Sequence, residues 1–157
     1  MEAQSYTVII RQDNSYFVGL CLELNVASQG ESLNEARRNM GEAIVEYLDY
    51  VREIGAEGEI GPVPFKAMLN KRRWRYTPLP PKINPLSSRD FRRLLEKNGA
   101  HLVRQRGTSH AIYERAAADK IYRAPVVAGA RELSPKYIKV VLRQLGFNDE
   151  EIAGLFS

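Results

Sequence analysis

Near the N-terminus apolar and polar positions alternate with a period of two, the signature of strands. Tyr6–Arg11 and Tyr16–Cys21 are β-branched and aromatic runs on either side of the polar Gln12-Asp13-Asn14-Ser15, which predicts a β-hairpin. A third short strand is expected at Asn25–Ser28, closing at Gly30. The period then changes. Ser32 and Glu35 have capping-box spacing, and Leu33, Ala36, Met40, Ile44, Tyr47, Leu48 and Val51 recur every three or four positions. This predicts a helix that stops near Gly55 and lays its apolar stripe on the sheet. Glu35, Glu42, Glu46, Asp49 and Glu53 fall on its other side and are expected to face solvent.

Between Gly55 and Pro85, Gly-Pro and Pro-Pro punctuation marks a linker around the basic run Lys71–Tyr76. Arginines interleaved with Trp74 and Tyr76 suit either nucleic-acid contact or an edge strand, and the edge strand is favoured. Ser87 followed by Asp90 opens a second periodic segment with Phe91, Leu94 and Leu95, which Asn98-Gly99 ends. Strands are expected at Ala100–Gln105, Ser109–Arg115 and Lys120–Val127. Arg106-Gly107-Thr108 forms the first turn, since Gly accepts the positive φ that tight hairpins need. Ser134 is expected to cap a helix with Pro135 at its first position and Tyr137, Ile138, Val141, Leu142 and Leu145 on its core face, and Asn148 with Glu151 begins a short terminal one. The order helix, three strands, helix places helices on one face of an antiparallel sheet. The fold class is α+β.

Charge divides the chain. Residues 1–65 carry four arginines, no lysine and eleven acids, a net of −7. The remainder carries nineteen cations and eight acids, a net of +11. A basic half attracts polyanions such as RNA, and an acidic half can pair with it or imitate its ligand; solvated surface charge is the plain alternative. The single Cys21 excludes a disulfide framework. It points, with no long apolar run or signal pattern, to a cytoplasmic protein without membrane association.

Candidate chemistry centres on His110. It emerges just past the Gly107 turn, flanked by Arg104 and Arg106, and an imidazole that titrates near neutrality can take the proton of a ribose 2′-hydroxyl. A lone strand histidine is more often structural, so position alone leaves both readings open. Arg104, Arg106, Ser109, Lys120 and Arg123 are the candidate RNA-binding residues, and Tyr113 or water the candidate general acid. His101, beside the helix terminus, is read as structural. His101, His110 and Cys21 are too few and too poorly spaced for a zinc site, so neither metal nor cofactor is invoked.

The segments Leu94–Ala100, Leu102–His110, Glu132–Pro135 and Leu142–Phe147 together resemble a HicA-type toxin. The first half, with Tyr6–Ile10, Phe17–Leu20 and Gln29–Ala36, resembles its partner, a HicB-type antitoxin. The resemblance implies an N-terminal degraded ribonuclease-H-like βββα domain at 1–56, a Pro-rich basic linker at 57–86, and a C-terminal double-stranded-RNA-binding-like αβββα domain at 87–157. It implies an mRNA-cleaving activity centred on the histidine of a Gly-Ser-His motif, which His110 and Ser109 match. Here the motif reads Gly-Thr-Ser-His, one residue longer, and Ala111 stands where a second histidine usually follows.

The function expected is therefore a toxin-antitoxin protein whose metal-independent endoribonuclease is silenced by its own fused inhibitor. A tethered inhibitor acts at an effective concentration of about millimolar where the linker spans the contact. The same contact made between two chains gives a swapped dimer instead. RNA is the expected external partner. DNA binding is not expected, because the chain runs from the linker directly into the toxin-like part. The alternative from another class is a non-catalytic RNA-binding module of the same fold.

Overall fold

The hairpin forms where alternation places it. The computed structural model describes residues 4–63 and 82–157, and β1 (Val8–Asp13) pairs antiparallel with β2 (Tyr16–Cys21) around Asn14, whose φ of 55° closes the turn. The third strand, β3 (Val26–Gly30), runs on to Gly30 and pairs with β2. Gly30 is required at its end by close approach: a Cβ there would lie 2.4 Å from the Ala36 amide nitrogen, at the start of the following helix.

That helix, α1 (Leu33–Glu53), begins as the cap pattern predicts. Ser32 Oγ accepts from the Glu35 amide at 3.1 Å, while the Glu35 carboxylate reaches back to the Glu31 amide at 2.7 Å. Ala36 is buried, and Met40, Ala43, Tyr47 and Val51 form one core cluster with Cys21, Leu24 and Val26. Leu33, placed on the same stripe by its spacing, is exposed, because the stripe meets the sheet only from Ala36 onward. After α1 a short 3₁₀ turn (Glu57–Glu59) follows, and the Val63 amide donates to the Leu22 carbonyl at 2.9 Å. The strand expected within Lys71–Tyr76 lies outside the described residues.

The second half is α2 (Ser88–Lys97), β4 (Ala100–Arg104), β5 (His110–Ala117), β6 (Lys120–Val127), α3 (Pro135–Gln144) and α4 (Asp149–Leu155). Its three strands form one antiparallel sheet in the order β4-β5-β6. Gly107 has φ 72° in the turn between β4 and β5, as its position requires. Alternation along β5 sends Ala111 and Tyr113 into a core with Phe91, Leu95, Tyr137, Ile138 and Leu142 from α2 and α3. His110, Ile112 and Glu114 point the other way.

That other face is covered by the first half. Val18 and Ala27 belong to the same core cluster as the second half's helices, so the two sheets share a seam. α1 lies along it with part of its acidic flank inward: Glu46 is 8% exposed, and Glu42 is half-buried. This corrects the expectation of a solvated flank for Glu42 and Glu46, while Asp49 and Glu53 are exposed as expected. A helix that follows a small sheet can bury two flanks, and only the apolar one shows in the periodicity. Among the described residues, no helix is long and apolar enough to cross a membrane.

Candidate active site

Directly opposed residues of neighbouring strands share a face, and the register groups Arg104 with Ile112, and Glu114 with Arg123, on the side where His110 emerges. His110 starts β5, completely buried at the seam. Its Nε2 lies 2.8 Å from Ser28 Oγ on β3, and its Nδ1 lies 3.0 Å from Ser109 Oγ. Ser109 Oγ in turn donates a hydrogen bond to the Glu42 carboxylate on α1. Burial pushes the His110 pKa down to about 4, with nearby Glu42 opposing that shift, so the ring is neutral at pH 7. A neutral imidazole keeps one lone pair, as a general base must.

The flanking cations are paired with acids of the first half. Arg104, 9% exposed, lies 3.8 Å from Glu46 and 3.3 Å from Glu53, and Arg106 bonds Glu53 at 2.9 Å. Arg123 bonds Glu114 at 2.8 Å and pairs with Glu59, while Tyr50 Oη donates to Glu114 at 2.7 Å. Burial and the Glu114 acceptor push the Tyr50 pKa up to about 12. A cleft of about 690 Å³ opens beside Ser109, lined by Glu35, Arg38, Glu42, Gln105, Thr108 and Arg131.

The remaining sequence candidates separate from this group. Lys120 is exposed at the far end of the β5–β6 hairpin, where it pairs with Ala117 while His110 pairs with Val127. Seven residues of strand put it roughly 20 Å away. Tyr113 faces the opposite side of β5, its hydroxyl accepting from Arg92 at 2.7 Å and donating to Glu96 at 3.2 Å. It is therefore withdrawn as general acid, since a three-residue step along a strand changes face. His101 is exposed on β4, not packed as a structural histidine would be. Among the described residues no cluster of three potential metal ligands occurs.

A family model described as HicA toxin of bacterial toxin-antitoxin matches residues 88–147. This stretch is a HicA toxin domain. It contains α2, the whole sheet, α3, and the Ser109-His110 pair. No curated protein and no solved structure matches the chain.

Ser28, Gln29 and Glu42 are the site's neighbours that sequence reasoning did not single out, and Asp13 joins the two halves elsewhere on the seam, through Ser134. Gln29 accepts from the Ser134 amide at 2.8 Å and donates to the Glu132 carbonyl of the HicA domain at 3.0 Å. Only Glu42 left a signal in the sequence. With Glu46, Asp49 and Glu53 it forms an i, i+4, i+7, i+11 stripe of acids in a chain whose other half is basic.

Proposed function

We propose that the HicA domain is a metal-independent mRNA endoribonuclease with His110 as general base, and that residues 1–56 act as a HicB-type antitoxin domain that holds it inactive. HicA toxins are generally mRNA interferases, and a neutral histidine on the sheet face that carries Arg104 and Arg123, with Arg106 in the turn before it, suits that chemistry. His110 Nε2 takes the proton of a ribose 2′-hydroxyl, and the 2′-oxygen bonds to phosphorus. The bond from phosphorus to the 5′-oxygen breaks, and the leaving oxygen takes a proton from water. Arg104 and Arg106 offset the charge that builds on the phosphoryl oxygens.

The observation that carries the inhibited state is the burial of His110, with both ring nitrogens within hydrogen-bond distance of a serine, one of them across the seam. The test places a protease site in the 57–86 linker and assays RNA cleavage in EDTA before and after cutting and dilution, beside His110→Ala. Cleavage is expected only from the cut wild type. If the cut chain binds RNA in a salt-dependent way and never cleaves it, the domain is a binding module instead.

A further inference from the structure

Four side chains form a continuous line across the seam: Glu42, Ser109, His110 and Ser28. The chemistry of each link fixes its direction. A carboxylate only accepts, so the one proton of Ser109 goes to Glu42. The 3.0 Å contact between Ser109 Oγ and His110 Nδ1 is then donated by the ring. This places the lone pair of the neutral imidazole on Nε2, where Ser28 Oγ stands at 2.8 Å as the donor. The base is in its working tautomer, and a hydroxyl is already presented to it.

We propose that Ser28 and Glu42 imitate the RNA at its reacting bond. The Ser28 hydroxyl stands where a ribose 2′-hydroxyl gives its proton to His110, and the Glu42 carboxylate stands where the adjacent phosphate accepts a hydrogen bond from Ser109. The inference rests on the endoribonuclease reading and adds a role to it. Ser109 becomes the ligand of the scissile phosphate and, through Nδ1, the positioning residue for the imidazole. The two imitating groups contact consecutive residues, Ser109 and His110, as a vicinal hydroxyl and phosphate on one ribose would. Further along α1 the imitation continues, with Glu53 on Arg104 and Arg106 where flanking phosphates would bind. The cleft beside Glu42 and Ser109 offers room for a nucleotide once the carboxylate is removed.

The test uses the full chain and follows the His110 ring nitrogens by ¹⁵N NMR during titration with inorganic phosphate and with uridine 3′-monophosphate. In the wild type the Nδ1–H tautomer is expected, with no response to either anion. Ser28→Ala, which removes a single oxygen, is expected to shift the Nε2 resonance. In Ser28→Ala/Glu42→Ala both probes are expected to bind and move the His110 signals, uridine 3′-monophosphate more tightly. Adding Ser109→Ala is expected to weaken binding by roughly tenfold or more, the effect of losing a hydrogen bond to a charged group. The double variant is also expected to cleave RNA faster than the wild type and than Asp13→Ala, which loosens the seam without touching the imitating groups. A folded double variant whose His110 ignores both anions overturns the proposal, as does an Nε2–H tautomer in the wild type. If anions bind but no form cleaves RNA, the endoribonuclease reading falls and the imitation of a ribose phosphate stands.

Discussion

Asp13, at the end of β1, caps a helix that begins more than a hundred residues later: its carboxylate accepts from Ser134 Oγ and, at 3.2 Å, from the Lys136 amide at the start of α3. Ser134 occupies the N-cap position of α3, yet its own side chain caps nothing. The first half thus supplies the negative charge that a helix N-terminus favours.

Removing that cap weakens the seam and α3 together. Asp13→Ala is expected to lower stability by about 1 kcal/mol, in the range for loss of an N-cap. Chemical denaturation measures the loss, and hydrogen exchange should localise it to the amides of residues 134–137. A loss with unchanged exchange there would show that Asp13 acts elsewhere.

Acid should loosen the chain through His110. The ring titrates near 4 when folded against 6.5 when free, so between those values the unfolded chain binds a proton that the folded chain refuses. Nothing is lost above pH 6.5, and stability falls as the pH drops from there toward 4, by at most about 3 kcal/mol. Denaturation of the wild type and of His110→Gln at pH 7.5 and 4.5 isolates the term. The wild type should lose the more on acidification, and parallel losses would refute the assignment.

Arg104 and Glu46 are buried at the seam, and Arg104 Nε and Glu46 Oε2 have no hydrogen-bond partner among the described residues. Two charges taken from water with incomplete bonding are a poor source of stability. Arg104→Met/Glu46→Leu is expected to match or exceed the wild type in denaturation midpoint. Glu46→Leu alone should cost about 1–3 kcal/mol, because Arg104 then keeps only Glu53. A double variant less stable than either single one would contradict this.

Gly30→Ala should destabilise the turn into α1 by about 1–3 kcal/mol, since the new Cβ meets backbone that cannot rotate aside. Thermal unfolding tests it. Tyr113→Phe, by contrast, should leave RNA cleavage by the opened chain intact, because its hydroxyl faces Arg92 and Glu96 on the other side of β5.

The hairpin at β1–β2, the cap at Ser32, the turn at Gly107 and the helix start at Ser87 were legible from local rules, because each depends on neighbours within a few residues; the start of α3 was legible too, but its cap comes from the distant Asp13 and not from Ser134. His110 and its arginines could be named for the same reason: residue type and a turn put them side by side. Their accessibility could not be read that way. Whether His110 meets solvent or Ser28 depends on two strands eighty-two positions apart coming together, and no local period records that contact. The acidic flank of α1 carries the same lesson. Helical spacing shows that Glu42, Glu46 and Glu53 share a side, but only the second sheet packed beside α1 turns that side from a solvated surface into the cover of a site. Periodicity encodes which residues share a face, and tertiary packing decides what that face meets.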